Sequence, residues 1–597
     1  MPRPLIVLLL LPALALSQGA AYGIALYKDV GVPVAVGVEV GPGNGTVEIR
    51  GLAYYDQLLL LSTTFACWEA AVASGHDPFA LNYTVYINPI DATRALIGPS
   101  LSLAVAVAAY NALTHTPSNL TIAYTGTVTP GGFVDFVGGV REKAIGARRA
   151  NFTLFVYPAL QHYDYKFELR PRLIGVYGTL IKVLRERPQN LSDILPVAEV
   201  GNVYQAFAIA TSQEYDIFDN VERLNQMVTA MVAPPPAEKL AVLKKEVHRT
   251  VNKTLKLAAQ EEYRDVLANG VARALSYLQL GEERPELATE AYPRALREVL
   301  YPYFYARLLT KSDAAITEMQ TYTDVILQIA EKLMPDVGSE NLCDGAYAHM
   351  YLHTAKNLLP QAQKYLRYYL AFHSPVDAAY AAYGYAQVVY YAWKSILYAE
   401  PPRDKAVELN KTASRLAHYL NTALNYAELY SAATGVASPQ LLGDALRNTR
   451  LGSSAPPPAA VGYYIEALSN ILTYFALHPS FPNTTAVKYL HFADALSHTA
   501  GGPPQLLYTE NIAQANLTDI NETRVYLLAK IYACKLAEKL AIYTDTPPRE
   551  MPKQRTTALP TATPGEESGE YLTPLAVTIG IILCVQGLYQ LFKKHKK

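Results

Sequence analysis

The sequence predicts an α+β amino-terminal domain, a large all-α helical region of repeat-like character behind it, and a single C-terminal transmembrane helix. Three observations carry this. Alternating apolar segments and paired glycines crowd residues 18–197. From about Ala198 the strand signals fade, and long helical segments punctuated by Pro or Gly take over. Near the end, Tyr571 to Phe592 runs 22 residues without a charge and is followed by Lys593, Lys594, His595, Lys596 and Lys597.

Bulk properties narrow the class. A chain of 597 residues implies several domains, and 51% hydrophobic against 17% charged residues excludes disorder as the general state. A net charge of −1 excludes a nucleic-acid surface as the main role.

Taken in order, residues 1–17 read as a secretory signal. Arg3 gives the charged start, Leu5 to Leu11 the apolar stretch, and Ala15-Leu16-Ser17 a small-residue cleavage site. Ten Asn-x-Ser/Thr sequons, from Asn44 to Asn521, agree with an exported, glycosylated chain. Val32 to Val40 and Thr46 to Ala53 are strand-like, split by Gly41-Pro42-Gly43-Asn44-Gly45. Residues 57–74 read as a helix ending at Gly75, and Tyr83 to Ile87 as a strand. Thr121 to Val128 and Phe133 to Val137 look like a hairpin around Gly131-Gly132. Gly138-Gly139 then opens a helix from Val140 to Ala150, and 151–158 reads as another strand.

Between these elements lies Ile97-Gly98-Pro99-Ser100-Leu101-Ser102, leading into a run of small apolar residues. Gly98 permits unusual backbone angles and Pro99 suits a helix start, so Ser100 is expected as an N-cap or first-turn residue. There its hydroxyl would meet free N–H groups and the positive helix end, a setting for an oxyanion. By itself, such a triplet is as readily an ordinary helix cap.

Gly-Pro-Ser before an apolar helix, then Thr125-Gly126, then Gly138-Gly139-x-x-x-Lys143 resembles the proteolytic domain of Lon-type peptidases. The resemblance covers roughly residues 30–195. It implies a Ser–Lys dyad at Ser100 and Lys143, with Gly98, Thr125 and Glu69 in supporting positions. Ile97 stands where the family often has an acidic residue, and Leu101 where it has a small one, differences that bear on substrate fit. A serine needs a base to become nucleophilic, and a lysine serves only when its pKa falls well below ~10.4. Val140, Ala144, Ile145 and Ala147 surround Lys143 with apolar side chains that favour a neutral amine. Against this stands a solvated Lys143 beside Arg141 and Glu142.

The helical segments are expected at 203–232, 237–281, 286–309, 312–334, 345–371, 376–399, 403–433, 461–477, 484–498 and 523–544. Forty-five tyrosines stand out, and core packing is their expected role. His349 and His353 lie one helical turn apart, but without a His-Glu-x-x-His motif no metal is assigned. Of the four cysteines, Cys343 and Cys534 can pair outside the cell; Cys67 reads as buried beside Trp68, and Cys584 lies in the C-terminal apolar run. Residues 546–570, rich in Pro, Thr and Glu, form a stalk; 571–592 reach across ~30 Å of hydrocarbon at ~1.5 Å per residue. The basic tail 593–597 should stay cytoplasmic.

The sequence therefore reads as a membrane-anchored, cell-surface serine endopeptidase acting on peptides or unfolded segments. With no Gly-x-x-x-x-Gly-Lys-Ser/Thr present, it would work without ATP and without a cofactor. The sequons and the resemblance suggest an archaeal source. The alternative is a surface scaffold or receptor with an inactive amino-terminal domain, whose helices bind partners. Oligomeric state and substrate are left open.

Overall fold

The computed structural model describes residues 19–545, apart from 28, 90–94, 97, 162, 172–178, 189–190, 214–225, 227–234, 260–262, 402–405, 435–437, 478–490, 493, 497 and 499–521. The described residues fall in one compact unit, 1–548. The signal 1–17, the stalk, the C-terminal span and the basic tail lie outside the described residues. No helix among those described is long and apolar enough to cross a membrane.

A mixed α/β region comes first, and a large helical region follows. Seven strands form the main sheet: β1 (Gly19–Tyr27), β2 (Val30–Pro42), β3 (Val47–Arg50), β5 (Leu81–Pro89), β7 (Ile122–Tyr124), β10 (Leu154–Pro158) and β13 (Val197–Val200), in the order β13-β10-β7-β1-β2-β5-β3. The β13-β10-β7-β1 half is parallel, whereas β2 pairs antiparallel with both β1 and β5. Short pairs flank the sheet: β4 (Tyr54–Tyr55) with β6 (Ala95–Leu96), and β8 (Thr127–Val128) with β9 (Val134–Asp135). A two-stranded ribbon, β11 (Tyr163–Pro171) and β12 (Thr179–Pro188), stands apart from it.

The expected 121–128 strand is two strands. β7 joins the main sheet, the chain breaks at Thr125-Gly126, and only β8 enters the hairpin with β9. Both Thr125 and Gly126 instead direct their backbone groups toward neighbouring segments, Val156 and Ser100.

Three helices pack within this region: α1 (Gln57–Ala73), α2 (Ser102–Thr114) and α3 (Val140–Arg149), followed by α4 (Val203–Ala210). α1 has no charge besides Glu69 and is buried along most of its length, as an apolar helix enclosed on several sides must be.

The helical region comprises α5 (Ala237–Ala258), α6 (Arg264–Glu283), α7 (Ala288–Leu309), α8 (Asp313–Lys332), α9 (Leu342–Phe372), α10 (Pro375–Tyr398), α11 (Leu409–Thr434), α12 (Pro439–Ser454), α13 (Pro457–Leu477) and α14 (Glu522–Asp545). The segment 237–281 was expected as one helix and is two. α12 has no counterpart among the expected helices. Its inner face buries Ala445, Asn448 and Gly452 and packs Leu441, Leu442 and Leu446 partly buried against the core. α9 and α10 form a helical hairpin whose corner is His373, in the left-handed conformation at φ 51°. Cys343 of α9 and Cys534 of α14 are disulfide-bonded, the pairing the sequence allowed, and Cys67 is buried and free.

Tyrosine is a core residue here. Tyr347, Tyr385, Tyr398, Tyr419, Tyr426 and Tyr532 are among the largest fully buried side chains. One apolar cluster runs without a break from the sheet through α1 and α2 into α11, α13 and α14.

Candidate active site

The serine turn is held from both sides. Asp56 caps α1 by accepting from Leu59 N at 2.9 Å, and its other oxygen accepts from Gly98 N at 3.0 Å. Gly98 has φ +94°, a conformation that glycine adopts at little cost. α2 begins at Ser102, not at Ser100. Leu101 is its cap and Ser100 lies in the preceding turn, so the expected helix-cap position is corrected by one residue. Ser102 closes the turn: its N and Oγ both donate to Pro99 O, at 3.0 and 2.8 Å, and its Oγ accepts from Val128 N at 2.7 Å. Ser100 itself is half-buried, and its carbonyl accepts from Gly126 N at 3.0 Å.

Lys143 comes from α3. Gly139, at φ +64°, starts that helix, and Lys143 N donates back to Gly139 O at 3.0 Å. α3 approaches β2 closely through two glycines. A Cβ at Gly31 would lie 2.3 Å from Glu142 O, and one at Gly146 would lie 2.3 Å from Gly31 O. This backbone-on-backbone contact sinks Lys143 into the domain, where 2% of it remains exposed. The solvated alternative for this lysine is thereby removed.

Thr125 joins the two. Lys143 Nζ donates to Thr125 Oγ1 at 3.1 Å, and Thr125 Oγ1 donates to Ser100 O at 3.3 Å. Thr125 is fully buried and anchored by its own N–H to Val156 O at 2.9 Å. The structure therefore sets the lysine amine and the serine backbone on opposite sides of one hydroxyl.

Glu69 sits elsewhere in the network. One oxygen accepts from Gly131 N at 3.1 Å and Tyr419 Oη at 2.6 Å; the other accepts from Tyr532 Oη at 3.0 Å. Burial pushes its carboxyl above the ordinary 4.5, against the pull of these donors and of Lys539. Asp135 likewise accepts from Tyr430 Oη. Two acidic side chains of the α/β region are thus bound by tyrosines of the helical region.

Sequence reasoning missed Asp56, Ser102, Tyr419 and Tyr532. An Asp directly before an apolar helix is a cap signal and was available for Asp56. Nothing local marks the tyrosines, which lie 350 and 463 residues from Glu69. His349 is near Pro335 O and His353 near Tyr463 Oη; among the described residues no cluster of His, Cys, Asp or Glu could hold a metal.

A serine on a tight turn, a buried lysine and a threonine between them make a site suited to acyl transfer. Comparison with known proteins narrows that class. Residues 19–168 match the family described as Lon protease (S16) C-terminal proteolytic domain. The chain is 30% identical over 148 residues to the Lon protease of Heliobacterium modesticaldum, covering 24% of this chain and 18% of that protein. It is 33% identical over 188 residues to Lon protease 2 of Herpetosiphon aurantiacus, covering 31% and 22%. It is 25% identical over 218 residues to the archaeal Lon protease of Methanothermobacter thermautotrophicus, covering 36% and 31%. The chain spans less than a third of the length of these curated relatives. A Lon-type proteolytic domain is thus recognised in the α/β region, and it supports a serine peptidase function.

Proposed function

We propose that this chain is an ATP-independent serine endopeptidase of the cell surface, using Ser100 as nucleophile and Lys143 as general base. The observation that carries the reading is the shared Thr125 hydroxyl, which holds a buried amine beside the serine turn. Lys143 keeps only 2% of its surface exposed, and its amine donates to Thr125 Oγ1 at 3.1 Å. Free enzymes often hold catalytic pairs apart until substrate arrives.

In the proposed cycle the neutral Lys143 amine takes the Ser100 hydroxyl proton as Oγ attacks the scissile carbonyl. Backbone N–H groups near the turn receive the oxyanion. Lys143 then protonates the departing amine; a water, deprotonated by the same lysine, attacks the acyl carbon, and as the C–Oγ bond breaks Lys143 returns that proton to Ser100 Oγ. Peptides or unfolded segments are the proposed substrates. ATP-independent action is supported by the lack of a phosphate-loop motif in the 597 residues. Export is supported by the sequons: Asn44, Asn82, Asn151, Asn252 and Asn410 are exposed and Asn119 half-buried, so sugars can be carried there. Membrane attachment through 571–592 belongs to the same proposal.

A fluorophosphonate probe tests it. The full chain should label, and Ser100→Ala and Lys143→Ala should each abolish labelling. Labelling that persists in Ser100→Ala, or none in the parent chain, would leave the scaffold reading in place.

A further inference from the structure

We infer that Tyr419 of the helical region is a positioning residue for the serine turn, acting through the Gly131 amide. This rests on the peptidase reading above and extends it by giving the helical region a part in the chemistry.

The connection can be followed bond by bond. Tyr419 Oη donates to Glu69 Oε1 at 2.6 Å and accepts from Gly131 N at 3.0 Å. Gly131 N also reaches Glu69 Oε1 at 3.1 Å, so one amide is shared by a carboxylate of its own domain and a hydroxyl of the helical region. Gly131 and Gly132, at φ +82° and +74°, form the tip between β8 and β9. That tip is closed by Gly132 N to Thr129 O and Thr129 N to Phe133 O, both 3.0 Å. β8 then hands its Val128 amide to Ser102 Oγ at 2.7 Å, and Ser102 Oγ donates to Pro99 O at 2.8 Å. Pro99 precedes Ser100 in the chain, and Gly126, just before β8, donates its N–H to Ser100 O.

The bonds of Glu69, Tyr419, Gly131 and Val128 are buried, where exchange with water is poor and a lost partner leaves an orphaned group, and the path reaches the half-buried serine turn through the part-buried bond of Ser102 Oγ to Pro99 O. Glu69, Tyr419 and Tyr532 are all essentially inaccessible. Phe65 and Trp68 of α1 pack against the Tyr419 ring at 5.3 and 5.8 Å between centroids, which fixes where its hydroxyl points.

Tyr532 supplies an internal control. It donates to the other oxygen of Glu69, at 3.0 Å, while Gly131 N donates to Glu69 Oε1 and Tyr419 Oη. Removing either hydroxyl weakens the same buried carboxylate. Only the loss at Tyr419 also takes away one of the two acceptors of the Gly131 amide at the loop tip.

Two measurements on the full chain decide the matter. In amide hydrogen exchange, Tyr419→Phe should speed exchange of Gly131, of Gly126 and of Leu103, whose N–H donates to Gly126 O at 3.2 Å, at least fivefold, whereas Tyr532→Phe should leave Gly126 and Leu103 unchanged. In fluorophosphonate labelling, Tyr419→Phe should slow modification of Ser100 by roughly five- to tenfold at a temperature where both variants stay folded, and Tyr532→Phe by less than twofold. The inference is overturned if Gly126 and Leu103 keep their protection in Tyr419→Phe, or if the two variants lose labelling rate equally. Absence of labelling in the parent chain would instead sink the peptidase reading, while the exchange data would still decide the coupling.

Discussion

Glu69 is the residue whose charge state the fold disturbs in an instructive way. It faces Tyr204, Tyr419, Tyr532 and, further off, Lys539, and burial outweighs these neighbours to raise its pKa. For a carboxyl raised in the folded state, the neutral form is the favoured one there. Stability from this group is therefore complete below about the ordinary value and declines as pH rises through the folded one. Glu69→Gln keeps the acceptor for Gly131 and Tyr419 but cannot ionise. Its melting temperature should gain on the parent as pH is raised from 4.5, and thermal scans across pH check this; equal pH dependence would reject it. At Thr125 the expectation is catalytic. Thr125→Val removes the hydroxyl between Lys143 and Ser100 while keeping volume. We expect a loss of about 10- to 100-fold in labelling rate, consistent with removing one buried and one part-buried hydrogen bond.

Among the elements, α7, α9 and α10 show how the helical region tolerates buried charge. Glu290 of α7 accepts from Lys394 Nζ of α10 at 2.6 Å, from Tyr390 Oη at 2.6 Å, and from Arg294 Nε at 2.8 Å. Burial works against its charge, but the Lys394 and Arg294 cations prevail and hold its pKa at about 2. Lys394 also lies 4.5 Å over the Tyr351 ring. Lys394→Met should cost roughly 3–5 kcal/mol in urea unfolding, because it strands a carboxylate. Adding Glu290→Leu should recover much of that loss, since neither charge then needs solvating. A double variant no more stable than the single one would contradict this account.

For the whole molecule, the Cys343–Cys534 bond closes a chain of 191 residues and ties α9 to the last described helix. A loop of that length is worth about 5 kcal/mol in the chain-entropy picture, with ~2–4 kcal/mol more usual in practice. Cys343→Ser with Cys534→Ser should lower the denaturation midpoint accordingly, and reductant should do so in the parent alone. The bond also helps to hold α14, and with it Tyr532, over Glu69. Loss of the disulfide should therefore loosen the joint between the two regions before it disturbs the sheet, which exchange measurements on β1 and β2 would show.

How much of this was legible depended on range. The Gly-Pro-Ser turn and the Gly-Gly start of α3 are written in contiguous residues, because backbone conformation and helix starts are local matters; the break at Thr125-Gly126 is not, since 121–128 reads as one strand until β7 joins the main sheet. So the α+β region and the long helices could be read directly, whereas Ser100, Thr125 and Lys143 are singled out only by the resemblance to Lon-type domains, and Ser100 lies just before the helix cap expected of it. The burial of Lys143 could not, since it depends on Gly31 meeting Gly146 across 115 positions of chain. Nor could the engagement of Glu69 by Tyr419 and Tyr532: a buried hydroxyl and a buried carboxylate find each other only once two remote helices have docked. The sequence by itself determined which segments turn, extend or coil and which side chains can react. The tertiary structure alone decided which of those side chains left water and which partners satisfied them, because desolvation and hydrogen bonding are settled by packing between distant parts of the chain.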